Sequence, residues 1–364
     1  MKISPLMRSI HVAQTKGKNI QARLVYTGSA HDKSLEPSLF DDLDMPRPDT
    51  CLEVESNDFF QRLAGIITSF AQELDKHPAD MVMVVDDLTP TMACTIVARK
   101  KGIRVAHLVA GIRSFDMNMP KEVNRMITDG LSDILFTAGM DANRNLNQTG
   151  TEQKHVHFVG NILIDNLRHN KQRLQEPDVF TPSAPMPQAY LLLTINRHAL
   201  LKDSEKLKAM FQALLTDGNL PIIAPLHGYV KEKLESLGIM DERLHIIPPQ
   251  PYLKFGYLIQ HAKAIVTDSG NVAEEATFLG IPCMTLNTYA EHPETVSIGT
   301  NLLIGEDPQA LTQALRTLDK GEWKKGLSGT GTHPVVPIET DRGTSALIRA
   351  IDTEDINSVT GNKY

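Results

Sequence analysis

From residue 81 to residue 159 the sequence alternates between short apolar runs and stretches with helical periodicity. This alternation restricts the fold more than any other feature. Met81–Val85 (MVMVV) is an unbroken apolar run, the composition of a strand covered on both faces. Thr91–Lys101 reads as a helix stopped by Gly102, and Ile103–Leu108 as the next strand. Lys121–Gly130, Ile134–Thr137, Met140–Thr149 and Val156–Val159 continue as helix, strand, helix, strand. Such a series predicts an α/β fold built on a parallel, doubly wound sheet. Upstream, Ile3–Ile10 reads as helix, Ala22–Tyr26 as strand, and Asn57–His77 as a helix with an apolar stripe along Phe60, Leu63, Ile66, Ile67, Phe70 and Leu74.

A proline-rich link, Pro177–Pro187, cannot continue as regular helix. After it a second alternating series begins with strand Tyr190–Thr194 and helix Lys202–Leu215. It continues through strand Ile222–Ala224, helix Val230–Leu237, strand His245–Ile247 and helix Tyr252–His261. Strands Ala264–Thr267 and Cys283–Asn287 flank helix Val272–Leu279, and Pro308–Leu318 and Gly343–Asp352 read as the last helices. A chain of 364 residues exceeds what one core usually supports. The expectation is two Rossmann-like domains facing one cleft. Residues 1–165, joined by the C-terminal helix region 343–364, form the first, and 166–342 form the second.

Thr267–Ala276 (TDSGNVAEEA) carries the clearest chemistry. A buried strand, a small-residue turn and a helix start together present unpaired backbone N–H groups and the positive end of the helix dipole to an anion. Gly270 has no Cβ to keep a phosphate away, and the Ser269 hydroxyl adds a donor. The same pattern also serves as an ordinary capped turn. Ligands of such sheets sit beyond the C-terminal strand ends. That rule gathers Asp86, Asp87, Val109–Arg113, Asn196, Arg197, His227 and Ser269–Glu275 around one crevice.

Composition narrows the function. Lys and Arg number 37 against 44 Asp and Glu, a net charge of −7, with no long basic run. This argues against nucleic acid or an anionic membrane as the main partner. Cys51, Cys94 and Cys283 show neither metal-ligand nor disulfide spacing. No apolar run approaches the ~18 residues of a membrane span, and no leader-like segment opens the chain. The chain reads as soluble and cytoplasmic, with no metal and no cofactor expected.

Six ordered segments resemble one family. They are TGSAHDK (27–33), HLVAGIRS (107–114), PKEVNR (120–125), GNILID (160–165), TDSGNVAEEA (267–276) and EHPETVSIGTNLLIG (291–305). At these spacings they resemble the non-hydrolysing UDP-N-acetylglucosamine 2-epimerases, which have the two-domain GT-B architecture. The resemblance implies an isomerase that interconverts UDP-GlcNAc and UDP-ManNAc. UDP is eliminated to a glycal and then adds back with the C2 configuration lost. It implies a diphosphate held at Ser269 and Gly270, a ribose on Glu275 and a uracil against Phe255. It also matches His227, and it places Lys2, Arg113, Arg197 and His292 among the substrate-binding positions. Asp87, Glu122 and Asn196 fall on catalytic positions. A homodimer formed through the first domain, and a role in supplying cell-surface polysaccharide, follow from the same resemblance.

Several of those positions differ in kind from the family's residues. Val109 and Lys121 stand where the family has glutamates, Asn196 where it has a histidine, and His292 where it has an arginine. Asparagine hydrogen-bonds but does not titrate, and its neighbours Arg197 and His198 are expected to substitute for the histidine only in part. A strand and a G-T-R-P-E loop precede the lysine that here is Lys2 in the family and are absent from this sequence. This predicts a flexible Lys2 and an open slot between Ala22–Tyr26 and Met81–Val85. Three readings therefore stay open: a working epimerase, a catalytically impaired UDP-sugar-binding paralogue, and a divergent GT-B glycosyltransferase.

Overall fold

The computed structural model describes residues 1–32, 35, 37–180 and 189–326. The helix expected over Gly343–Asp352, and its joining to the first domain, lie outside the described residues. The chain divides into two compact units, one holding Met1–Asn166 and the other starting at Leu167.

The first unit runs α1 (Ile3–Thr15), β1 (Val25–Tyr26), α2 (Pro37–Leu43), β2 (Thr50–Cys51), α3 (Phe59–Lys76), β3 (Met81–Val85) and α4 (Thr89–Lys100). It continues with β4 (Arg104–Leu108), α5 (Pro120–Leu131), β5 (Ile134–Thr137), α6 (Met140–Gln148) and β6 (Val156–Phe158), and α7 (Ile162–Asn170) crosses the boundary. Strands β3, β4, β5 and β6 lie side by side in that order, all parallel. The apolar run of β3 is explained by its two covered faces. Val82 and Val84 pack with Ile66 and Phe70 of α3 and Val97 of α4. Met81, Met83 and Val85 pack on the other side with Leu6 of α1 and Ile162 of α7. Asp58 caps α3 by accepting from the Gln61 N–H at 2.8 Å.

Two expectations need correction here. The strand expected over Ala22–Tyr26 is reduced to Val25–Tyr26, because the Asp49 carboxylate takes the Leu24 N–H at 2.7 Å, where a strand partner would stand. β1 pairs with β2 in a separate two-stranded sheet, and among the described residues it makes no ladder with β3. Lys2, expected to be flexible, is fixed: its side chain is 12% exposed and its Nζ lies 2.6 Å from Asp86 Oδ1.

The second unit runs β7 (Leu191–Thr194), α8 (His198–Lys202), α9 (Ser204–Asp217), β8 (Ile222–Pro225), α10 (Gly228–Ser236), β9 (Leu244–Ile247) and α11 (Tyr252–Gln260). Then follow β10 (Ala264–Thr267), α12 (Gly270–Leu279), β11 (Cys283–Thr285), α13 (Pro293–Ser297), β12 (Asn301–Leu303) and α14 (Pro308–Asp319). Its six parallel strands are ordered β12-β11-β10-β7-β8-β9. Apolar clusters cover both faces: Leu191 and Leu193 point to one, Tyr190 and Leu192 to the other. β12 escapes a reading of apolar runs because it is three residues long and opens on a buried polar residue. Asn301 is held by the Thr285 hydroxyl at 2.6 Å.

Candidate functional site

The chain order of the second sheet reverses between β7 and β10. From β7 the sequence moves outward through β8 and β9, then returns to add β10, β11 and β12 on the other side. That reversal opens a crevice at the carboxyl ends of the two central strands. Thr194 and Thr267, the last residues of these strands, share a hydroxyl–hydroxyl hydrogen bond of 2.6 Å. Just beyond them the two connections are tied together. Asp268 Oδ2 accepts the backbone N–H groups of both Asn196 and Arg197 at 2.6 Å each. Burial pushes the Asp268 carboxyl up, and those two N–H donors oppose the shift.

Ser269 is the N-cap of α12, its hydroxyl oxygen accepting from the Val272 N–H, so the helix starts at Gly270 and not at Val272. The Glu291 carboxylate stands over Gly270, where an added Cβ would lie 2.9 Å from its Oε2. One turn further in, Glu275 is 3% exposed and its Oε1 has no hydrogen-bond partner. Burial, then the charge of Glu274, pushes its carboxyl up to about 8, with the Tyr252 hydroxyl opposing. His292 is also buried, its Nδ1 at 3.2 Å from Glu274 Oε1 and 3.5 Å from Glu294 Oε1. Burial works against ionisation of Glu294, but the imidazole outweighs it and holds the carboxyl low. Ligand atoms of Glu274, His292 and Glu294 lie within 4.8 Å of one another and could hold a metal ion, a grouping the sequence did not suggest. An imidazole bridging two carboxylates accounts for the same arrangement.

Asn196 and Arg197 follow the end of β7, and His227 follows β8. Asn196 Oδ1 accepts from the Tyr229 hydroxyl. Arg197 reaches Asn287 Oδ1 at 3.4 Å and lies 3.3 Å from Glu306 Oε1. His227 is the exposed N-cap residue of α10, its ring stacked on Tyr229 with centroids 5.7 Å apart and planes at 10°. Phe255 is half-buried on α11 against the cluster of Leu258, Val272 and Ala276.

In the first unit Asp87 and Arg113 sit in the loops after β3 and β4, Glu122 on the first turn of α5, and Lys2 at the start of α1. Asp87 Oδ2 accepts from Arg125 Nε at 3.0 Å and Nη2 at 2.7 Å, and Lys121 Nζ lies 3.4 Å from Oδ1. Glu122 is 1% exposed. It accepts the Ser114 N–H and hydroxyl at 2.8 and 2.9 Å and the Phe115 N–H at 3.3 Å, and Arg125 lies at 3.3 Å. Burial opposes its ionisation, but these donors outweigh it and hold the carboxyl below its ordinary range. Arg113 is enclosed, its Nη1 donating to Asp129 Oδ2 at 2.6 Å and to the Ile112 carbonyl at 2.8 Å. Asp129 also binds His107 Nδ1 at 2.6 Å, forming a buried His107–Asp129–Arg113 network that sequence spacing did not reveal. Val109 is buried, with φ at +70°, a strained conformation for a β-branched residue.

Sequence reading also missed Asp268, Tyr229, Arg125 and Asp129. Asp268 and Arg125 had usable signals, the first as a carboxylate before a serine cap and the second as the last residue of PKEVNR. Asp129 and Tyr229 act across 16 and 33 residues of sequence, which no local pattern shows.

Two Rossmann-like units, one with a serine-capped helix start at its sheet reversal, define an α/β protein of the GT-B type. The sequence profile of the family described as UDP-N-acetylglucosamine 2-epimerase matches residues 13–331, and the chain belongs to that family. It is 32% identical over 337 residues to the UDP-N-acetylglucosamine 2-epimerase of Methanocaldococcus jannaschii, covering 89% of this chain and 91% of the relative. It is 31% identical over 321 residues to the UDP-2,3-diacetamido-2,3-dideoxy-D-glucuronate 2-epimerase of Pseudomonas aeruginosa, covering 87% and 88%. The crystal structure of the M. jannaschii enzyme in complex with UDP-GlcNAc and UDP superposes with a TM-score of 0.82 at 30% identity, over 96% of each chain. Among the described residues no helix is long and apolar enough to cross a membrane.

Proposed function

We propose that this protein binds a UDP-sugar and acts at C2 of the sugar, interconverting UDP-GlcNAc and UDP-ManNAc by elimination and re-addition of UDP. The observation that carries the reading is the Ser269-capped start of α12 at the reversal between β7 and β10. The diphosphate is taken by Ser269 and Gly270, the ribose by Glu275, and the uracil by Phe255. His227, Arg197 and His292 line the same strand ends, and Lys2 and Arg113 serve the loops of the first unit. In the forward step the C2 proton leaves to a base, the C1–O bond breaks, and UDP departs with the bonding pair. In the return step UDP re-forms its bond to C1 and a proton is delivered to the opposite face of C2, so the C2 configuration is inverted.

Among the first unit's candidates Asp87 has the more accessible carboxylate, its side chain 14% exposed against 1% for Glu122. Glu122 holds the Ser114–Phe115 turn. Asn196 donates hydrogen bonds to leaving-group oxygens. A second reading, a UDP-sugar-binding paralogue with little turnover, is favoured by one observation: Asp87 is already neutralised by Arg125 and Lys121. We further propose a cytoplasmic homodimer serving polysaccharide supply.

Incubating the pure protein with UDP-GlcNAc and resolving UDP-ManNAc, free UDP and glycal separates the readings. UDP-ManNAc supports the epimerase. Intact substrate together with calorimetric UDP binding supports the paralogue, and sugar transfer to an added acceptor overturns both. In the binding arm Ser269→Ala should weaken UDP by about 1 kcal/mol, the net worth of one hydrogen bond.

A further inference from the structure

Asn196 is the polar side chain that begins the connection after β7, and its backbone is not free to move. Asp268, the residue before the Ser269 cap, holds the N–H groups of Asn196 and Arg197. The amide of Asn196 therefore projects from a point locked to the phosphate turn. It has two unlike ends: a carbonyl oxygen that accepts, and an NH2 that only donates. The carbonyl end is occupied, because Tyr229 donates its hydroxyl to Oδ1. Tyr229 stands on the first turn of α10 and is held in turn by the His227 ring lying flat against it. With the carbonyl engaged by the phenol, the exposed end of the amide is the NH2.

We propose that Tyr229 is a positioning residue: it fixes the Asn196 amide so that its NH2 donates to an anionic oxygen of a nucleoside diphosphate seated at Ser269–Gly270. This deepens the nucleotide-binding reading above and rests on it. A non-titrating donor in this place stabilises a diphosphate that is bound or departing, without exchanging a proton with it. The phenol contributes indirectly, by preventing the amide from turning its carbonyl toward the phosphate, where two acceptors would repel. The arrangement sets apart the diphosphate from the uridine, since only the former offers an anionic acceptor.

Calorimetric titration of UDP and of uridine into the full chain and its variants tests this. Tyr229→Phe should weaken UDP about three- to tenfold, as loss of one hydrogen bond does. Uridine binding should stay unchanged, because a merely structural role would not separate the two ligands. Asn196→Ala should weaken UDP to a similar degree, and the double variant should be no weaker than Asn196→Ala alone, the mark of residues acting as one unit. Asn196→Asp should be the most severe, placing a carboxylate against the phosphate. Tyr229 is largely exposed, so Tyr229→Phe should melt at the wild-type temperature. UDP affinity unchanged in Tyr229→Phe, additive effects in the double variant, or equal losses for UDP and uridine would each overturn the proposal. Absence of UDP binding to the wild type would overturn the nucleotide reading itself, whereas wild-type binding weakened by Ser269→Ala but not by Tyr229→Phe overturns only the inference.

Discussion

The phosphate turn of the second unit and the loops after β3 and β4 of the first unit are both rich in polar side chains, but they use them oppositely. At the turn an acceptor is left over: Glu275 is buried with an unpartnered oxygen. In the first unit the charges are already matched. Asp86 holds Lys2, Asp87 holds Arg125 and Lys121, Glu122 holds Arg125 and the 114–115 turn, and Asp129 holds His107 and Arg113. Buried polar groups without partners are costly and persist where a ligand satisfies them, whereas completed networks fix a loop. The contrast therefore sets a turn with an unsatisfied buried acceptor against loops whose charges are already paired.

The sharpest way to break that contrast is to unmatch a network. Asp129→Asn leaves the enclosed Arg113 guanidinium without its counter-charge, and removing one partner of a buried pair costs about 3–5 kcal/mol. Chemical denaturation should show a loss of that size. Burial opposes ionisation of Asp129, but His107 and Arg113 outweigh it and hold its carboxyl low. A carboxyl lowered in the folded state contributes its full stability above the unfolded value and loses it as pH falls through the lowered one. The Asn variant should therefore lose part of the wild type's acid sensitivity. A drop under about 1 kcal/mol would mean that this network is not a scaffold.

A second test asks whether the residues at two expected acid–base positions, Lys121 on α5 and Asn196 after β7, limit turnover. Lys121 is 45% exposed and Asn196 is exposed, so Lys121→Glu with Asn196→His returns titrating groups without disturbing a core. Val109 is buried and is the less suitable site for a carboxylate. One positioned acid or base contributes about 10²–10⁴ in rate, so the double variant should turn over UDP-GlcNAc at least about a hundredfold faster. Equal turnover in the two proteins would place the acid–base groups elsewhere.

The difference between the regions also marks what the sequence made legible. A cap, a turn and a helix start are local, and TDSGNVAEEA displayed them within ten residues. The alternation of strands and helices was equally local, since apolar runs and caps repeat at short range. The saturated networks were not visible, because each joins residues that only the sheet brings together. Asp87 meets Arg125 across 38 positions, and Asp268 meets Asn196 across 72. Arg113 illustrates this: the resemblance gave it as a substrate-binding position, and no local pattern showed that its guanidinium meets Asp129 across 16 positions. β1 was read too long for the opposite reason, since a side chain, Asp49, took over the pairing of Leu24.

The smallest expected effect is a proton. Burial, and then Glu274, holds the Glu275 carboxyl at about 8, so in the free protein it is mostly protonated at pH 7. Ribose hydroxyls that donate to it favour the ionised form and lower that value. UDP binding at pH 7 should then release part of a proton, and affinity should rise with pH toward about 8 and level off beyond it. The gain cannot exceed tenfold per pH unit for a single group. In the absence of UDP the sign is reversed. A carboxyl raised above its ordinary 4.5 keeps its proton in the folded state after the unfolded chain has lost it. The free protein should therefore lose stability as pH rises from the ordinary value through about 8. Glu275→Gln should abolish both slopes while leaving neutral-pH folding intact, since the amide resembles the protonated acid. Calorimetry of UDP binding in two buffers of different ionisation enthalpy reads the proton directly. Identical heats in both would show that Glu275 does not receive the ribose.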